Sequence, residues 1–198
     1  MTPTDTDGRR RRVLATSVAA LGGTVLAAFS AVLVNSLRPS RATEEANRKV
    51  VDTSRIKPGE FLLLESGNKP IVFFHRTQEQ LRALEHYEEP LADPMSRIAQ
   101  QPDFATNRFR SKVPELLVVE PICTRLGCAV KYAPADDPYM NGADREWHGG
   151  FNCPCHAALF DLAGRVYRGM PAPVNLRVPP RNFISKHEVE FGPTVHEL

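Results

Sequence analysis

Cysteine is scarce, with four residues in a chain of 198. That is too few for a disulfide scaffold, so their spacing has to decide their role. Charge of one sign is not in excess either: 25 basic and 23 acidic residues sum to +2. Arg9, Arg10, Arg11 and Arg12 against Asp5 and Asp7 account for the whole surplus, which leaves 21 of each sign in residues 13–198. A neutral body without basic runs excludes a nucleic-acid binder, whose affinity rests on phosphate neutralisation. There is no internal repeat and no low-complexity segment. A hydrophobic content of 42% excludes a disordered chain, and 12 Gly without a triplet period exclude a collagen-like one. The length suits one domain with appendages, or two very small domains.

What is present begins with an apolar run. Val13 to Leu37 is 25 residues without one charged side chain, bounded by Arg12 and Arg38. At about 1.5 Å per residue its most apolar part, Val13 to Val34, spans roughly 30 Å, the hydrocarbon thickness of a bilayer. The run exceeds the roughly 7–15 residues of a secretory signal core, and no small-x-small site precedes Arg38. The expectation is a cytoplasmic N-terminus over 1–12, one transmembrane anchor over 13–37 and a flexible tether over 38–50. Arg38, Arg41, Arg48 and Lys49 balance the arginines before the span, so the positive-inside count is a tie. Arg10-Arg11-Arg12-Val13-Leu14 resembles a twin-arginine export signal, with Val at the usual Phe position and no Lys following. That resemblance places the C-terminal body on the periplasmic side of a bacterial inner membrane.

The body, 51–198, reads as mainly β. Glu60-Phe61-Leu62-Leu63-Leu64 and Pro70-Ile71-Val72-Phe73-Phe74 flank Ser66-Gly67-Asn68, the pattern of a hairpin. Thr77-Gln78-Glu79-Gln80 has the spacing of a capping box and predicts a short helix with Leu81 and Leu84 on one face. A polar stretch with Pro90, Pro94 and Pro102 predicts a surface loop or short helical turns. Leu116 to Val119 predicts a strand leading into the first cysteine, and Arg165-Val166-Tyr167 and Val189-Glu190-Phe191 predict short strands.

The four cysteines form two tight groups, Cys123-Thr124-Arg125-Leu126-Gly127-Cys128 and Cys153-Pro154-Cys155-His156, 24 residues apart. Gly- and Pro-shaped loops of this kind converge soft ligands and turn backbone N–H groups toward bound sulfur, which suits a metal centre. Two structural disulfides fit the same spacings.

The two boxes resemble those of the Rieske iron–sulfur proteins, specifically the iron–sulfur subunit of the quinol–cytochrome c oxidoreductase (cytochrome bc) complex. The family pattern is Cys-Thr-His-Leu-Gly-Cys and Cys-Pro-Cys-His-Gly-Ser. The likeness extends to the anchor, to Trp147–Phe151, to Phe160-Asp161-Leu162-Ala163-Gly164-Arg165 and to Gly169-Met170-Pro171-Ala172-Pro173. It implies a β sandwich with an inserted cluster-binding subdomain at about 113–175 and a 2Fe–2S cluster. Cys123, Cys153 and His156 would be ligands, and Cys128 and Cys155 would form a disulfide bracing the loops. Gly169 to Pro173 would cover the cluster, and Leu126 and His156 would form the exposed tip, with His156 contacting a membrane quinol. Implied partners are cytochrome b and cytochrome c1-type subunits in a dimeric complex, with one electron passing to a c-type cytochrome.

Three departures stand at the chemistry. Arg125 occupies the position of the first ligand His. A guanidinium has no lone pair to give until it loses a proton, which near neutral pH costs on the order of 9 kcal/mol. Metal binding can drive such a deprotonation; the alternatives are an outside ligand, a substitute such as His148, another metal, or a clusterless structural or regulatory paralogue. Ala157-Ala158 replaces Gly-Ser and so removes a hydroxyl donor to a bridging sulfide. Phe160 keeps ring packing where Tyr is frequent but lacks its donor. Ala158 and Phe160 lower the expected potential, whereas a cationic Arg125 raises it. Trp147 and Phe151 read as core packing, and Asp136-Asp137 as a solvated loop. His75, His86, His187 and His196 read as surface or hydrogen-bonded residues.

Overall fold

The computed structural model describes residues 5–37, 48–66, 69–87, 90–140, 146–185 and 187–191. The chain divides into two units, 1–44 and 45–198. The first contains helix α1 (Asp5–Ser36), whose stretch Gly8–Ser36 is long and apolar enough to cross a membrane. Leu14, Leu21, Leu26 and Phe29 are all exposed, as befits a helix that is apolar all round. Three of its hydroxyls donate within the helix, Thr16 to Arg12 O (2.9 Å), Thr24 to Ala20 O (2.5 Å) and Ser36 to Leu33 O (2.7 Å), which suits a hydrocarbon surround.

The described residues of the second unit form nine strands: β1 (Lys49–Asp52), β2 (Phe61–Ser66), β3 (Lys69–His75), β4 (Leu116–Val119), β5 (Lys131–Ala133), β6 (Gly150–Cys153), β7 (Ala158–Asp161), β8 (Arg181–Phe183) and β9 (Glu188–Phe191). They form three antiparallel sheets, ordered β1-β9-β8, β2-β3-β4 and β5-β6-β7. The strands of the third sheet fall in sequence between β4 and β8, so this sheet is an insertion into the other two.

Continuous apolar runs in β3 and β4 have a direct cause. Alternate residues of a strand face opposite sides, and both sides of this sheet are covered. Ile71, Phe73, Leu116 and Val118 join Val51 and Val189 in one core, while Val72, Phe74, Leu117 and Val119 join Phe151, Phe160 and both free cysteines in another. β2 is one of the two edge strands of its sheet and leaves Phe61, Leu62 and Leu63 exposed. Between β3 and β4, helix α2 (Gln78–His86) starts with a capping box formed by Thr77 and Gln80, and buries Leu81 and Leu84.

Several expectations change here. Lys49 and Val50, assigned to the tether, pair with β9, because alternation places Val51 in the core; residues 38–47, the turn residues Gly67 and Asn68, and His196 lie outside the described residues. The polar stretch after α2 contains the expected short helical turn, at Asp103–Ala105, and many exposed residues, but it is more than a surface loop. It buries Leu91, Asp93, Ser96, Ala105 and Arg110, because its polar groups find internal partners: Asp93 accepts from the N–H of Arg97 and Ile98, both at 2.9 Å. Val166 and Tyr167 form isolated bridges to Phe160 and Leu91 rather than a strand.

Candidate metal centre

The two cysteine boxes are consecutive turns of the inserted unit. In the first, Cys123 N–H donates to Cys128 O (2.8 Å) and Gly127 N–H to Cys123 O (3.0 Å). Gly127 takes φ +79°, a left-handed value that favours glycine. The second box is the turn between β6 and β7, closed by Ala157 N–H on Cys153 O at 2.9 Å. Ala157 holds φ +54° there. A disulfide between Cys128 and Cys155, with Cα atoms 6.6 Å apart, ties the two turns together.

The remaining thiols, Cys123 and Cys153, are free, fully buried and hydrogen-bonded to each other. Burial pushes the Cys123 thiol up; the backbone N–H groups of Arg125 and Leu126, aimed at its sulfur, work in the opposite direction. One donor atom each from Cys128, Cys153, Cys155 and His156 lies within 4.8 Å of the others. Two of those sulfurs are consumed by the disulfide, so the free donors are Cys153 and His156, with Cys123 held against Cys153. His156 Nδ1 is buried without a hydrogen-bond partner among the described residues, an arrangement that costs stability unless something ligates it. Buried soft thiols, inward N–H groups and an orphaned imidazole nitrogen fit an iron–sulfur group.

Arg125 and Leu126 stand at the exposed tip of the first turn, Leu126 70% exposed. The backbone of Arg125 faces Cys123, but its side chain is in solvent. His148 does not join the cysteines: it stacks on Tyr87 at 3.5 Å between ring centroids and its Nε2 lies 3.7 Å from Glu146 Oε2. His75 Nδ1 meets Ile56 O at 2.5 Å, His86 Nδ1 meets Arg82 O at 2.7 Å, and His187 is exposed. Trp147 is core, donating from Nε1 to Pro134 O at 2.9 Å, and Phe151, Ala158 and Phe160 are buried. Asp136 is exposed, and Asp137 accepts from Tyr139 N–H at 2.9 Å.

The residues that hold these turns in place are mostly ones the sequence does not mark. Thr124 donates to Val174 O at 2.7 Å, fastening the first turn to the segment after Gly169–Pro173. Ala172, within Gly169–Pro173, is buried in the same core as both thiols. Arg165 pairs with Asp161 (2.7 Å) and reaches Pro94 O and Leu84 O, joining the inserted unit to the stretch after α2 and to α2 itself. Arg110 donates to Ala163, Gly164 and Leu176 carbonyls. The Asp161–Arg165 spacing across Leu-Ala-Gly is a signal that could have found the pair; nothing in the sequence distinguishes a buried arginine from a solvated one.

Residues 100–180 match the Rieske [2Fe-2S] domain family. The ubiquinol-cytochrome c reductase iron-sulfur subunit of Allochromatium vinosum is 40% identical over 92% of this chain and 88% of its own length. The subunit of the same name in Blastochloris viridis is 34% identical, covering 97% of this chain and 98% of that one, and that of Cereibacter sphaeroides is 31% identical over 95% and 97%. A chain of a hyperthermophilic respiratory complex III aligns with a TM-score of 0.48 and 20% identity, covering 90% of this chain and 98% of that chain, a likeness too loose to bear on the argument. The domain and these relatives imply a 2Fe–2S cluster as cofactor. Matched along nearly its whole length, the chain belongs to the family of ubiquinol–cytochrome c reductase iron–sulfur subunits.

Proposed function

We propose that this chain is the electron-transfer subunit of a membrane quinol–cytochrome c oxidoreductase. It takes one electron from quinol and passes it to a c-type cytochrome, within a dimeric complex containing cytochrome b and cytochrome c1-type subunits. The observation that carries this reading is the pair of buried free thiols beside the orphaned Nδ1 of His156.

Cys123, Cys153 and His156 are the protein ligands in this reading, and the Cys128–Cys155 disulfide keeps their turns in register. When bound, the cluster supplies a one-electron acceptor of raised potential. With Nδ1 turned inward, His156 offers Nε2 to a quinol hydroxyl, accepts its hydrogen bond and holds the proton as the electron leaves. Exposed Leu126 gives the apolar contact that keeps water off that hydrogen bond. Helix α1 anchors the chain in a bacterial inner membrane with its body periplasmic.

Arg125 favours a second reading, a clusterless paralogue that fills the same position in a complex without conducting electrons. The two separate in membranes of a host lacking its own iron–sulfur subunit and supplied with this chain. Restored quinol-dependent reduction of cytochrome c supports the electron carrier; an assembled complex with no reduction supports the paralogue.

A further inference from the structure

The free thiols have one imidazole beside them among the described residues. His156 provides it; His148 stacks on Tyr87 outside the cysteine group, and His75 and His86 meet backbone carbonyls elsewhere. The relevant position on the first turn carries Arg125, whose side chain stands in solvent. Guanidinium is strongly basic and donor-only, whereas water, hydroxide, an imidazole or a small anion offers a lone pair without that penalty. Around the tip, Arg125, Leu126, Gly127, Pro154 and Cys155 are all exposed, so both turns that carry the ligands border solvent.

We propose that this chain holds its cluster with three residues, Cys123, Cys153 and His156, and leaves one coordination position to an exchangeable small donor. That donor is water or hydroxide at rest, replaceable by an imidazole or a small anion. The inference rests on the electron-carrier reading above. A metal site with three protein ligands and one open position exchanges its fourth ligand readily. A cation at the rim attracts anionic donors, so Arg125 acts here as a charged neighbour of the position rather than as its occupant.

The test uses purified full-length protein, its iron and sulfide content measured, with imidazole as probe. Three proteins are compared: wild type, Arg125→His and His148→Ala. Imidazole is expected to shift the visible bands and the reduced-state paramagnetic resonance signal of the wild type saturably, toward the spectrum of Arg125→His. Arg125→His should not respond, and His148→Ala should respond as the wild type does. A wild-type spectrum insensitive to imidazole at full iron and sulfide content overturns the exchangeable position and leaves the electron carrier standing. A changed spectrum in imidazole-free His148→Ala overturns it in favour of a histidine ligand. Protein without iron from a host competent in cluster assembly overturns both.

Discussion

Ala157 occupies a left-handed backbone position, φ +54°, in the turn that carries Cys155 and His156. An L residue there costs about 1–2 kcal/mol relative to the right-handed region, and glycine escapes most of that at some expense in unfolded-state entropy. Ala157→Gly is therefore expected to stabilise the protein by a few tenths to about 1 kcal/mol, read as a higher denaturant midpoint at unchanged slope. The buried arginines differ from one another in a testable way. Arg165 neutralises buried Asp161, so Arg165→Met strands a carboxylate and should cost about 3–5 kcal/mol. Arg181 is equally buried, lies 4.9 Å from the Phe104 ring centroid, and leaves Nε and Nη2 without hydrogen-bond partners among the described residues. Arg181→Met should be neutral or stabilising by about 1–4 kcal/mol. Burial, with Arg110 as a like-charged neighbour, pushes the Arg181 guanidinium down to about 9. Above that pH the folded chain has released a proton that the unfolded chain still holds, so the wild type gains stability relative to Arg181→Met as pH rises. Denaturation midpoints of both proteins at about pH 8 and about pH 10 check the sign.

At the scale of single elements, β6 and β7 are held close by a missing side chain. A Cβ at Gly150 would collide with the Phe160 carbonyl and come within 2.9 Å of Asp161 Cα. Because backbone cannot swing away as a side chain can, Gly150→Ala should cost at least about 2 kcal/mol in a thermal or denaturant melt. Local elements were also the most legible part of the sequence. The capping box at Thr77 and Gln80, the two buried leucines of α2 and the apolar runs of β3 and β4 all show as local spacing or local hydrophobicity. Short strands such as β5 and β8, three residues each, leave too little periodicity to read. The segment containing Asp93 and Arg110 was illegible for another reason: Arg110 is buried there because the distant carbonyls of Ala163, Gly164 and Leu176 meet it, and no local pattern announces such partners, whereas Asp93 is met within the segment by the N–H groups of Arg97 and Ile98.

At the scale of the whole molecule, the chain combines a helix able to cross a membrane with a β body whose inserted sheet carries the cysteines. The charge-free run and the paired cysteine boxes were visible in the sequence. The division into three sheets was not, since it depends on β1 returning to β9 across nearly the full length of the body. At the candidate site, sequence spacing brought the boxes together but could not show that the Arg125 side chain faces solvent or that His148 turns toward Tyr87. The central claim is that Cys123, Cys153 and His156 hold a cluster, and the most direct measurement is iron and acid-labile sulfide in purified full-length protein, alongside its reduced-state paramagnetic resonance. The account predicts about two of each per chain and a signal abolished by Cys123→Ser. Colourless, iron-free wild-type protein from a host that assembles clusters on other proteins would contradict it.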